Sequence, residues 1–273
     1  MTSEKVGTRV KDSIVGLLKG TGEVVQGAAS ATRDAVTGTL KGAGDIAGSV
    51  FSTTADAIKG GLSAVGEVGT GALDTVQGVV IGVVRAVGEV ATVTVGTISD
   101  IARAAIKGTA DVGGDLTSAA GGMAEGLISA TKDTGVGVTE GAVAVGKSVI
   151  GGVKDVGGDV IGASSSTVSG AIKGAESIGA DVLGAAKGTA QGLVSGAAEV
   201  GADIGNVAKG AISGAISGAK EVGLSVEDAA SAAATGAFEA AEKIGGSAVA
   251  AVRDVAASGV DGVKTVIKGK SDS

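Results

Sequence analysis

The chain has 273 residues and a formal net charge of −7, with 52 Gly, two Phe, and no Trp, Tyr, Pro, Cys or His. That inventory excludes disulfides, thiol redox chemistry, Cys/His zinc sites and a histidine base. Mild acidity without a stacking platform argues against nucleic acid as a partner. The mean hydropathy of +0.44 is too apolar for ordinary disorder, yet small Ala, Val and Gly side chains make a jigsaw core hard to build.

In chain order, residues 1–22 form a partial repeat. Its apolar stretch Ile14–Leu18 is followed at once by Lys19, so it is too short for a signal-peptide core. Residues 23–264 read as eleven 22-residue repeats, and 265–273 as a short polar tail. Counting from Glu23, the first column runs Asp45, Glu67, Glu89, Asp111, Asp133, Asp155, Ser177, Glu199, Glu221, Lys243. The second column is apolar except for Thr134: Val24, Ile46, Val68, Val90, Val112, Val156, Ile178, Val200, Val222, Ile244. Column 18 is bulky throughout: Leu40, Leu62, Val84, Ile106, Ile128, Ile150, Ile172, Val194, Ile216, Phe238, Val260. A period that never slips is structural.

A half-period is also present, since Asp12, Asp34, Asp56, Asp100 and Asp254 stand 11 residues from the main acidic column. Eleven residues make three turns at about 3.67 residues per turn, close to the relaxed α-helix. Folded at roughly 98° per residue, the two apolar columns fall on one arc of about 160°. The acidic columns, with Asp115, Asp159, Asp181 and Asp203, fall opposite. Lys19–Glu23, Lys41–Asp45, Arg85–Glu89 and Lys107–Asp111 stand at the i,i+4 spacing of helical ion pairs. The most apolar window, Val79 to Ile98, carries Arg85 and Glu89 near its middle, so no transmembrane span is expected. A parallel β-solenoid with 22-residue coils is a rival. It accounts less well for the Ala content, the single Asn206 and the 11-residue subperiod.

Glycine lies within this pattern: Gly69, Gly113, Gly135, Gly157, Gly179, Gly201, Gly223 and Gly245 share one column. Each helical Gly costs about 0.8–1 kcal/mol relative to Ala, so an isolated helix should be unfolded or self-associated until its apolar face is covered. The expected fold is therefore all-α, an elongated amphipathic 11/22-residue repeat array. Three coverings compete. A lipid interface takes the whole face, about 410 Å if the helix is continuous. Helix-on-helix packing uses the small-xxx-small spacings Gly38/Gly42, Gly170/Gly174, Gly192/Gly196 and Gly214/Gly218, which lie on the polar flank and so suit lateral contacts. Folding back at Asp111–Gly114 and Asp155–Gly158 into antiparallel helices of about 18 residues ranks third, because no Pro, Asn or Ser cluster marks the turns.

The segments Asp34–Val50 and Ile178–Ala197, with Lys-Gly followed by small residues and Val, Thr and Gly on the apolar side, resemble the 11-mer repeats of perilipins. They are similar, less closely, to synucleins and exchangeable apolipoproteins. The resemblance implies repeats that are disordered in solution and helical on a lipid droplet or membrane. This chain departs in being acidic. Late-embryogenesis-abundant proteins share the 11-residue period but are more charged, and they suggest desiccation protection as a further reading.

Chemistry is not indicated elsewhere. Glycine spacings such as Gly151 to Gly157 and Gly158 lack the GKS/T of a phosphate loop. Members of the acidic column would lie about 33 Å apart on a helix and cannot converge on one ion. Phe51, Phe238 and Met123 read as larger members of the apolar stripe, and Ser164–Ser166 lack a base. The expectation is a non-enzymatic coat with no cofactor, no metal and no small-molecule substrate. It would be cytoplasmic and peripheral at a membrane, lipid droplet or granule, and columns 2 and 18 would form its binding stripe. The alternative is a self-assembling structural protein that buries the same stripe against copies of itself. If the stripe meets lipid, Ser at Ile106, Ile128, Ile150 and Ile172 should abolish partition, and changes in the acidic column should not.

Overall fold

The computed structural model describes residues 4–21, 24–41, 46–68 and 72–267. Among them the chain is all-α, with no β element beyond an isolated Val260–Val263 bridge. The helices are α1 (Glu4–Thr21), α2 (Val24–Leu40), α3 (Ile46–Val68), α4 (Ala72–Val90), α5 (Val95–Asp111), α6 (Leu116–Ala130), α7 (Val138–Asp155), α8 (Val160–Ser177), α9 (Val182–Glu199), α10 (Ile204–Val222), α11 (Val226–Ile244) and α12 (Gly246–Ser258). A single 3-10 turn, Thr131–Asp133, follows α6. The apolar stripe is thus cut into segments, and folding back, ranked third above, is the arrangement found.

The cuts come from five adjacent columns that stop one helix and start the next. At the end of α5, Gly113 donates its N–H to the Ala110 carbonyl (2.9 Å) and Gly114 to that of Thr109 (2.9 Å), the paired bonds of a Schellman motif. The pattern recurs with Gly157 and Gly158, and with Gly179 and Ala180. Gly113, Gly157, Gly179, Gly201 and Gly223 have φ between +63° and +73°, a left-handed conformation that costs a residue with a Cβ about 1–2 kcal/mol. Two residues later a side-chain oxygen opens the next helix, the Ser225 hydroxyl after Gly223 and a carboxylate after the other four. Asp159 accepts from the N–H groups of Ile161 (3.0 Å) and Gly162 (3.1 Å), Asp181 from Gly184 (2.9 Å), and Asp203 from Asn206 (2.9 Å). Each cap satisfies an orphan donor and places negative charge at the positive helix end. Of this column, Gly113, Gly157, Gly179, Gly201, Gly223 and Gly245 end helices, Gly135 lies just after the 3-10 turn, and Gly69 lies outside the described residues.

Such short turns reverse the chain, so successive helices run antiparallel. Each helix packs on the next and on the next but one. Odd-numbered helices make one layer and even-numbered helices the other, with parallel neighbours within a layer. The parallel sense is visible in α9 on α7, where Gly188, Gly192 and Gly196 lie against the carbonyls of Thr139, Val143 and Lys147 in the same order. A Cβ added at Gly188 would sit 2.7 Å from the Thr139 oxygen, and one at Gly174 would sit 2.6 Å from that of Glu125. Gly60, Gly82, Gly126, Gly170, Gly214 and Gly236 make equivalent approaches to the helix two before. The lateral contacts expected of Gly170/Gly174 and Gly192/Gly196 are thus among the close seams of the molecule. With contacts confined to such near neighbours, the architecture is a helical repeat stack of the α-solenoid kind.

The interior lies between the layers. Ile58, Ile101, Ile106, Met123, Leu127, Ile128, Ile150, Ile172 and Leu193 are among its largest fully buried side chains, and Ala fills most of the rest. Several buried hydroxyls are satisfied within their own helices: Thr54 donates to the Val50 carbonyl (2.7 Å), Thr167 to that of Ala163 (2.6 Å) and Thr189 to that of Ala185 (2.8 Å), whereas the buried Thr32 hydroxyl has no partner among the described residues.

Candidate interaction surface

The two apolar columns meet different fates. In column 18, Leu40, Val84, Ile106, Ile128, Ile150, Ile172, Val194, Ile216, Phe238 and Val260 are buried, and Leu62 is half-buried. Most lie within their helices and face between the layers; Leu40 ends α2 and Val260 lies just after α12. Column 2 falls at helix ends. Val112, Val156 and Ile244 are exposed, while Val24, Val90, Ile178, Val200 and Val222 are half-buried. The side chains of Ile46 and Val68 lie outside the described residues. One continuous outward stripe is therefore absent among the described residues, because the caps rotate each new helix to face its predecessor.

What remains outside is a set of aliphatic side chains along the two edges where the turns lie. Val112 and Val156 cap α5 and α7, Ile244 ends α11, and Ile161 opens α8 on that same edge. Val95, Leu183 and Leu224 occupy the opposite edge, at the starts of α5 and α9 and just after α10. The first edge also carries the carboxylates of Asp111, Asp115, Asp155, Asp159 and Asp203.

The acidic column has a lateral role that periodicity alone did not reveal. Asp111 pairs with Lys59 two helices back (2.8 Å), Glu199 with Lys147 (2.7 Å), Asp133 with Arg85 (3.1 Å) and Glu221 with Lys173 (3.2 Å). Of the four helical pairs expected, Lys107–Asp111 forms, at 3.8 Å. Arg85 turns away from Glu89, which instead accepts from the Thr37 hydroxyl (3.2 Å) and lies near Arg33 (3.8 Å). Glu23 and Asp45 lie outside the described residues. Spacings of 48 and 52 residues could have exposed these pairs, had the fold-back been assumed.

One carboxylate sits deeper. Glu125 on α6 is enclosed by α4 and α8. It accepts from the Gln77 amide (3.0 Å) and faces the Lys173 ammonium (3.6 Å), which also reaches Glu221 on α10. Burial pushes the Glu125 carboxyl above its ordinary range, and Lys173 and Gln77 only partly oppose this. Elsewhere the hydrogen bond from Lys59 holds Asp111 below the usual range, and the Ser118 hydroxyl does the same for Asp115.

Surface grooves lie between next-but-one helices, at Val25, Gln26 and Ile81 between α2 and α4, and at Lys187, Asp228 and Thr235 between α9 and α11. Neither gathers a nucleophile with a base. Among the described residues no acidic cluster could hold a metal ion, and no helix is long and apolar enough to cross a membrane. No protein-family model matches the chain, and no curated protein matches it.

Proposed function

We propose that this chain is a non-catalytic structural protein that works as a folded helical stack, burying its amphipathic face against itself. One observation carries this reading: glycines recur where one helix backbone rests on the helix two before, as at Gly126 on Gln77, Gly174 on Glu125 and Gly188 on Thr139. A helix lying on lipid has no use for a bare backbone on its polar flank, whereas a close-packed stack requires it. The Gly and Asp caps every 22 residues support the same reading, because a continuous surface-bound helix would be interrupted by them.

A second reading, favoured by the exposed Val112, Val156, Ile161 and Ile244, is a peripheral coat that opens on an apolar surface. This is the behaviour implied by the resemblance to perilipin repeats. Opening is feasible because contacts run only to near neighbours and Ala-rich seams release little energy per helix. Substituting Ile106, Ile128, Ile150 and Ile172 does not separate the two readings, since all four are fully buried and Ser there unfolds the stack before any lipid is met.

Circular dichroism with light scattering in lipid-free buffer decides, followed by flotation with neutral phospholipid vesicles or an oil emulsion. A structural stack is helical without lipid, melts cooperatively and does not float. A lipid-free spectrum of a disordered chain that turns helical on emulsion would overturn the stack and leave the coat.

A further inference from the structure

The segment after α12 does something no other linker among the described residues does. Gly259–Ile267 turns sharply through Gly259, Asp261 and Gly262, all at positive φ, and the Val260–Val263 bridge closes the turn. It is fastened to three helices. The Ser213 hydroxyl on α10 donates to Asp261 (2.5 Å), the Thr265 hydroxyl donates to the Ala256 carbonyl on α12 (3.0 Å), and the Val266 N–H donates to the Ser231 hydroxyl on α11 (3.1 Å).

The last of these positions is informative. Ser231 stands 44 residues after Lys187, and the Lys187 carbonyl is where Gly236 of α11 seats on α9. Ser231 is therefore the seat that the repeat assigns to a helix stacked on α11. Val263 and Ile267 pack on the same core cluster, so an extended segment fills a helix-shaped position. At the far side of the stack, Gly38 of α2 occupies the column whose other glycines rest on the preceding backbone, yet nothing lies within 4 Å of it among the described residues.

We propose that Gly259–Ile267 is a displaceable stop, and that the seat it covers on α11 fits a second copy of this chain, joined head to tail through α1 and α2. This rests on the folded-stack reading above. Such a joint is heterologous and does not close on itself, so release of the stop leads to open-ended growth. In that register Lys41 of the incoming copy would meet Arg253, at the spacing where Lys187 meets Glu239 within one chain (2.7 Å). Joining is therefore resisted by like charges and is promoted by salt.

The test uses the full chain carrying Val260→Asp and Val263→Asp, which unseat the turn, with light scattering over a range of concentration and salt. The unaltered chain keeps one mass. The double variant should gain mass with concentration, more so at high salt, and a further Gly38→Val should restore the single mass. A variant that stays helical and keeps a single mass overturns the proposal. Should the double variant unfold, Ser231→Ala decides, with limited proteolysis reporting release of the segment: release with growth supports the stop, and release without growth overturns it. A chain that is disordered in lipid-free buffer would instead sink the folded-stack reading itself.

Discussion

The helical glycines separate into two kinds according to what a methyl group would meet. At Gly126 a Cβ would come within 2.7 Å of the Gln77 carbonyl, a backbone atom that cannot swing aside, while at Gly151 in α7 it would meet nothing within 4 Å. Gly126→Val should destabilise by about 3 kcal/mol or more through overpacking. Gly151→Ala should stabilise by about 0.5–1 kcal/mol by improving helix propensity. Chemical denaturation of the two variants checks both signs. Glu125 gives a pH dependence of definite direction. Its carboxyl titrates above its ordinary value of 4.5 in the folded chain, so the fold binds this proton more tightly than the unfolded chain does. Its ionisation therefore lowers stability as pH rises above about 4.5. Glu125→Gln should raise the melting temperature at pH 7, with a gain that shrinks as pH falls toward 4, because Lys173 keeps Glu221 as its partner. Asp111 and Asp115 act in the opposite sense. Their depressed values stabilise the fold above about 3.9, and that contribution is lost as pH falls through their folded values.

At the scale of the helix, each boundary is set by the stop-and-start punctuation. Asp159→Ala removes the acceptor for two amide groups at the start of α8 and should cost about 1 kcal/mol. Gly179→Ala forces a Cβ into φ +65° and should cost about 1–2 kcal/mol. Thermal melts of both single variants and the double test these values. The costs should add, because the cap at Asp159 and the stop at Gly179 hold opposite ends of α8 and share no partner. The helix type and the shared apolar face of Ile106, Ile128, Ile150 and Ile172 were legible from periodicity, which reports the face of a helix without saying what covers it; that they turn inward was not. The turns were harder to read because their marker is a Gly and an Asp two residues apart. In a chain with 52 Gly a stop looks like any other glycine, and Asp159 or Asp181 falls on the polar arc whether it caps a helix or only faces water. The edge aliphatics Val112 and Val156 share their column with half-buried Val200 and Val222, so no column pattern could assign their exposure.

Taken as a whole, the molecule is nearly one-dimensional, since among the described residues the main contacts of each helix run to its nearest and next-nearest neighbours. Opening one end therefore leaves the rest intact, and amide exchange should show protection falling from the middle helices outward rather than in a single global step. Ion pairs such as Lys147–Glu199 and Arg85–Asp133 cross from helix to helix at the surface. Each contributes about 0.2–1 kcal/mol and is screened by salt. They set the register of the stack more than its strength.

The constant spacing of stops has a consequence for how such a gene can change length. Cutting residues 116–159 joins the cap Asp115 directly to Val160, removes α6 and α7 together, and returns every later helix to its own layer. The shortened chain should fold, with small-angle scattering showing a stack two helices shorter. Loss of 11 residues instead would carry a cap into the middle of a helix and a left-handed glycine into its core, and should leave the downstream part unfolded. Slippage by two copies of the 22-residue unit during replication thus preserves the stack, whereas slippage between its halves breaks it. The apparent 11-residue symmetry of the sequence conceals a reading frame of 22.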